Sequence, residues 1–262
     1  MQYSMLELAI SGHVATVSLN RPDVRNAFNE TMIAELTDAF SQLQTREDVR
    51  AIVLAANGPA FCAGADLNWM KKMASFSDEE NRADARRLAD MLAVVYRSAK
   101  PVIARVSGDA YAGGVGLAAA CDIVVAVDTA RFCLSEARLG LIAATIAPYV
   151  IRALGERASR RYFTTAEPFA CMTAYRLGLV HEAVPADALD ATVQKLAAAL
   201  CTNGPQAVRE SKRLVQDVAG CPLDEALIDD TAQRIARIRA SAEAREGVAA
   251  FLEKRAPAWR AE

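Results

Sequence analysis

The chain has 262 residues, 53% of them hydrophobic and 24% charged, with a formal net charge of −2 and a pI ≈ 5.9. This is the composition of a globular protein with a sizeable core, and it excludes the strongly basic footprint of a nucleic-acid binder. The apolar runs are too short and too interrupted to span a bilayer, and the opening M-Q-Y-S-M-L-E-L lacks the basic start and long apolar stretch of a secretory signal. Six cysteines without a C-x-x-C pair point to reduced thiols and a cytoplasmic setting. His13 and His181 lack metal-ligand spacing, so no metal is expected.

Residues 6–10 and 13–19 are two short runs separated by Ser11-Gly12, a hairpin signal. Arg21-Pro22-Asp23 breaks the second strand, and Asn29 is placed to cap a helix with Met32, Leu36, Phe40 and Leu43 on one face. A buried strand over 49–55 ends at Asn57-Gly58-Pro59. The small-residue turn Phe61-Cys62-Ala63-Gly64-Ala65-Asp66-Leu67 leads into a short helix to Met73, and residues 74–81 read as polar and mobile. Leu88, Leu92 and Val95 mark the next helix, which Lys100-Pro101 stops. After residue 186 the pattern turns helical: Leu189, Val193, Leu196 and Leu200 share a face, and Pro205 and Pro222 start further helices. Strands alternating with helices predict an α/β fold with parallel strands.

The segment 107–136 organises the rest. A strand over 102–106 feeds a turn, Gly113-Gly114 opens a short apolar helix, and a strand over 123–127 follows. Glycines at a helix start let backbone N–H groups approach a ligand, and such a corner can hold a developing oxyanion. Glu136 ends the stretch on an apolar run, where burial would raise its pKa into the range useful for proton transfer. The competing expectation is a surface ion pair with Arg138 or Arg131. Cys62 reads as a packed side chain, and His13 and His181 as structural.

The R-P-x-x-R-N-A-F entry at 21–28, F-C-A-G-A-D-L at 61–67, A-x-x-G-G ahead of Cys121-Asp122, Ser135-Glu136, R-L-G-L-V-H-E-A-V at 176–184 and the closing F-L-E-K-R-A-P-A-W together resemble the enoyl-CoA hydratase/isomerase (crotonase) superfamily. The resemblance implies a spiral of ββα units over 1–186 and a helical trimerisation region over 187–262. It implies an acyl-CoA substrate, with coenzyme A as part of that substrate and no separate cofactor. It also implies a homotrimer or dimer of trimers. Its oxyanion hole maps to the N–H groups of Ala63 and Gly113. Its coenzyme A loop maps to Ala63, Gly64, Ala65 and Asp66, with Arg25 near the adenosine end, and its catalytic glutamate to Glu136.

The departures bear on the reaction. Gly116 stands in the substrate site where hydratases of this fold commonly carry a first glutamate, and Ala112 replaces a glycine. The common P-G-G-G-G-T run is Ala143-Ala144-Thr145-Ile146-Ala147 here. The variant most resembles the 3-methylglutaconyl-CoA hydratase branch of leucine breakdown. With one acid, either Glu136 handles both protons of a hydration, or another group helps, or the reaction is a Δ3,Δ2-enoyl-CoA isomerisation that needs one base. A catalytically silent acyl-CoA or RNA-binding paralogue is the expectation from another class. The acidic pI weighs against nucleic acid, and no membrane partner is expected.

Overall fold

The structure, a computed structural model, describes residues 3–260. β1 (Leu6–Ser11) and β2 (Val14–Leu19) form the expected antiparallel hairpin, turning at Gly12 with φ +54°. α1 (Glu30–Thr45) starts at Asn29, whose side chain accepts from the Met32 N–H at 2.9 Å, and buries Met32, Leu36, Phe40 and Leu43.

A repeating unit then builds the site. β3 (Ala51–Ala56) is followed by the short β4 (Ala60–Cys62) and by α2 (Leu67–Met73) and α3 (Asp78–Tyr96). β5 (Val102–Val106) is followed by β6 (Asp109–Tyr111) and α4 (Gly113–Ala120). β7 (Ile123–Val127) is followed by β8 (Arg131–Cys133), a 3-10 turn (Glu136–Leu139) and α5 (Ala147–Leu154). α6 (Glu156–Thr165), β9 (Phe169–Ala170), α7 (Cys171–Leu177) and β10 (Glu182–Val184) complete this part.

The longer strands form one sheet, ordered β1-β2-β3-β5-β7-β10 and parallel from β2 onward, while the short strands form a second, ordered β4-β6-β8-β9. This is a spiral of ββα units. β3 is buried along its whole length because helices cover the sheet, as parallel sheets require. Strands of two or three residues are too short to show a period of two, so the residues by themselves read there as turns. Residues 74–81, expected to be mobile, contain the start of α3: Ser77 and Glu80 form a reciprocal capping box.

α8 (Leu189–Thr202) follows, and its Leu189, Val193 and Ala197 join the core cluster beneath the main sheet. The expected subdomain border at 187 therefore falls at a helix that belongs to the core. The helices that stand off the core are α9 (Pro205–Val218), α10 (Glu225–Arg239) and α11 (Ala242–Leu252), which together bury only Ala250. Lys212 ties α9 down, its ammonium 2.7 Å from Asp122 Oδ2. Among the described residues no helix is long and apolar enough to cross a membrane.

Candidate active site

Two backbone corners, one after β4 and one after β6, meet side by side. The first is shaped by Arg25 and Asn26, two successive left-handed residues at φ +52° and +55°. Asn26 is fully buried. Its side chain accepts from the Arg21 N–H at 2.8 Å and donates to the carbonyls of Asn57 and Ala60 at 2.9 and 3.0 Å. Asparagine is among the few non-glycine residues that tolerate this conformation, and R-N-A was the signal available in the sequence. The bend carries Phe28 alongside the 63–66 loop. The Phe28 N–H donates to the Gly64 carbonyl at 2.7 Å, and the Asp66 N–H donates to the Phe28 carbonyl at 2.8 Å.

This pairing decides which N–H the first corner can offer. The Ala63 N–H donates to the Arg25 carbonyl at 2.9 Å, so it is already spent. In the parallel bridge between Phe28 and Ala65, the flanking peptides bond Phe28 while the N–H of Ala65 itself faces the other way. It has no protein partner among the described residues. The expectation that Ala63 supplies the first oxyanion donor is corrected: the open donor is Ala65. Asp66, expected to lie along coenzyme A, also has its carboxylate occupied. It caps α2 through the N–H groups of Asn68 and Trp69 and accepts from Arg21 at 2.9 Å. Burial works against its charge, but Arg21 and the two helix N–H groups outweigh it and hold the carboxyl below its usual range. Arg25 is exposed beside this corner.

The second corner is Ala112-Gly113-Gly114. Ala112 adopts φ +48° and ψ −117°, a conformation natural to glycine, and is held there by its N–H on the Cys133 carbonyl at 2.7 Å. Its own carbonyl accepts from Val115 and Gly116, which starts α4 and leaves the Gly113 N–H without a protein partner among the described residues. The corners interlock through glycines. A Cβ on Gly114 would lie 2.5 Å from the Cys62 carbonyl oxygen, and one on Gly64 would lie 3.0 Å from the Ala112 methyl. A Cβ on Gly113 would meet the Phe28 ring at 2.9 Å. Phe28 thus pairs with one corner and packs under the other, a role not read from the sequence.

Glu136 opens the 3-10 turn after β8. Its Oε2 is buried and makes no hydrogen bond, and burial raises its pKa. The competing ion pair does not form: Arg131 pairs with Asp109 at 3.0 Å, and Arg138 donates to the Ala166 carbonyl at 2.7 Å. A half-buried carboxyl with one oxygen unpartnered among the described residues and a raised pKa is suited to exchange protons.

Gly116 offers no surface to a substrate, contrary to expectation. It is buried on α4, and the space its side chain would take is filled by Ile146. Cys62 is fully buried, with its thiol pushed up to about 12 by burial, which fits packing and not nucleophilic attack. His13 Nδ1 lies 2.8 Å from the Asp48 carbonyl, and His181 Nδ1 accepts from the Val124 N–H at 3.0 Å. Trp69 is buried and donates to Asp84. Among the described residues no three His, Cys, Asp or Glu side chains are grouped to hold a metal ion. A cavity of about 920 Å³ lies elsewhere, between α9 and the ends of β5 and β7, and none of the corner residues lines it.

The family model for enoyl-CoA hydratase/isomerase matches residues 9–262. The chain belongs to that family. An enoyl-CoA hydratase structure from Shewanella pealeana superimposes with a TM-score of 0.96 at 43% identity, covering 98% of this chain and 97% of that one. A mevalonyl-coenzyme A hydratase of Aspergillus fumigatus is 32% identical over 95% of this chain and 92% of its own. A 2,3-dehydroadipyl-CoA hydratase of Escherichia coli is 31% identical over 97% of this chain and 98% of its own. As an enzyme of the enoyl-CoA hydratase/isomerase family, the chain acts on acyl-CoA thioesters.

Proposed function

We propose that this enzyme adds water across the C2=C3 bond of a short, branched or carboxylated enoyl-CoA, with 3-methylglutaconyl-CoA as the first candidate. The observation that carries the reading is the unpartnered, buried Oε2 of Glu136 in a chain whose two corners hold open N–H groups. Hydration puts negative charge on the thioester oxygen. The N–H groups of Ala65 and Gly113 are the donors for it, and the loss of one such donor typically costs about 3–4 kcal/mol. Glu136 as carboxylate takes a proton from water while the water oxygen bonds to C3. The C2=C3 electrons move to the thioester, and Glu136 then returns a proton to C2. The acyl group is supported by the resemblance of 61–70 and 132–142 to the methylglutaconyl branch. Two relatives named for a mevalonyl and a dehydroadipyl group lend further support.

A second reading, Δ3,Δ2-enoyl-CoA isomerisation, is favoured by one observation: no second acid can stand at Gly116, and moving a proton between two carbons needs only one base. Purified enzyme is offered 3-methylglutaconyl-CoA and, separately, a 3-enoyl-CoA, and the conjugated thioester absorbance is followed in ¹⁸O-water. Loss of absorbance with ¹⁸O at C3 supports hydration. A gain of absorbance from the 3-enoyl-CoA, without hydration of any conjugated substrate, replaces it with isomerisation.

A further inference from the structure

Gly116 lies three residues after Gly113 on α4, so the two occupy adjoining positions on the helix surface. A Cβ at 116 would sit 2.1 Å from Ile146 Cγ2 and 2.5 Å from Ile146 Cβ. The second distance matters more. A Cβ is fixed by the backbone, so no rotamer of Ile146 clears the space. That backbone is itself pinned, since the Ile146 carbonyl accepts from Tyr149 and Val150 at 3.1 Å as α5 begins, and the side chain is 1% exposed. Ile146 occupies the volume at the α4–α5 contact that a side chain at 116 would need. Glycine at 116 is thus matched to isoleucine at 146.

The acids near the site leave no substitute. Asp66 is bound by Arg21, Asp109 by Arg131, Asp84 by Arg87 and Asp122 by Lys212. Glu136 alone has a buried carboxylate oxygen without a partner among the described residues.

We propose that Ile146 keeps this a one-carboxylate site: with glycine at 116 it fills the volume a second acid would need there, so the proton taken from water and the proton given to C2 both pass through Glu136. This rests on the enoyl-thioester reading above. Atoms balance without another group. Glu136 accepts one proton from water, the hydroxyl oxygen bonds to C3, the π electrons pass to the thioester oxygen, and Glu136 returns one proton to C2 as the thioester re-forms. Oxygen and hydrogen therefore arrive on the same face of the double bond.

The test is a double-mutant cycle of Gly116→Glu and Ile146→Gly, with Ile146→Val as the conservative variant. It is read by thermal unfolding without substrate and by the pH dependence of kcat/KM for a short branched enoyl-CoA that carries no acyl carboxyl, so that the acid limb reports carboxyls of the enzyme. Gly116→Glu alone is expected to lower the unfolding midpoint by roughly 5 °C or more, and the double variant to regain most of that loss. Wild type and Ile146→Val are expected to show a single carboxyl ionisation on the acid limb, and the double variant a second one. The proposal is overturned if Gly116→Glu is as stable as wild type, if the double variant is no more stable than Gly116→Glu, or if wild type already shows two carboxyl ionisations. If wild type turns over no enoyl-CoA, the enoyl-thioester reading falls, and the stability cycle by itself still decides whether Ile146 bars a side chain at 116.

Discussion

The two corners present the same chemical group, an open backbone N–H, but are held in different ways. The corner at 63–66 is held by hydrogen bonds. Phe28 pairs with it on both sides of Ala65, Arg25 takes up the Ala63 N–H, and Asp66 pins its end to α2 and Arg21. The corner at 112–114 is held by shape. Ala112 is forced into a glycine conformation, Gly114 lies against the Cys62 carbonyl, and Gly113 lies over the Phe28 ring. Hydrogen bonds can be lost one at a time, each at modest cost, whereas a steric fit fails with one added methyl. The shape-held corner should therefore be the less tolerant of the two, although both present the same kind of donor.

The largest expected effect belongs to Glu136, the acid proposed to act with both corners. Glu136→Gln should lower kcat by roughly 100- to 10,000-fold while leaving the fold intact, as circular dichroism and turnover of an enoyl-CoA would show. Retention of full rate would remove Glu136 from the chemistry. The same residue sets a pH signature. Burial raises its folded pKa above the unfolded value, so the folded state binds the extra proton between those two values. Stability should fall as pH rises through that window, and Glu136→Gln should abolish that fall. Activity should move the opposite way, rising with pH as the carboxylate forms, with a midpoint above the ordinary glutamate value.

Next comes the shape-held corner. Gly114→Ala puts a methyl on the Cys62 carbonyl and should cost roughly 100-fold or more in kcat by displacing a donor, together with a lower unfolding midpoint. A variant with normal kcat would show that the corner yields. The hydrogen-bonded corner should respond less. Asp66→Ala should lose about 1–3 kcal/mol of stability from the cap and the Arg21 contact, and Asp66→Asn should lose less because it still caps; denaturant titration separates them. Smallest of all, Ala112→Gly relieves a strained φ and should leave stability unchanged or raised by about 1 kcal/mol. A clear loss would mean that the methyl, which faces Gly64, contributes more by contact than the strain costs.

Much of this was legible in the residues alone. The hairpin, the capped α1, the buried parallel strands and both glycine-bearing turns were visible because local period, caps and turn residues encode them. Glu136 stood out as an acid on an apolar run. Three things were not legible. The short strands of the second sheet carry too few residues to show a period. α8 looked like the first helix of a separate region, since its apolar face is the same whether it packs on the sheet or on a neighbouring helix. The donor of the first corner was assigned to Ala63, because a sequence does not say which peptide of a loop faces its neighbour.

By itself, then, the sequence determined the positions of the two small-residue turns, the acid on an apolar run and the alternation of strands and helices, all of which follow from short-range preferences. Tertiary structure alone decided that Ala65 and not Ala63 has the open N–H, that Glu136 escapes both nearby arginines, and that Ile146 closes the space at Gly116. The physical reason is the same in each case. A hydrogen bond or a filled volume is settled by competition among groups far apart along the chain, and only the fold brings Arg25 to Ala63, Asp109 to Arg131 and Ile146 to Gly116.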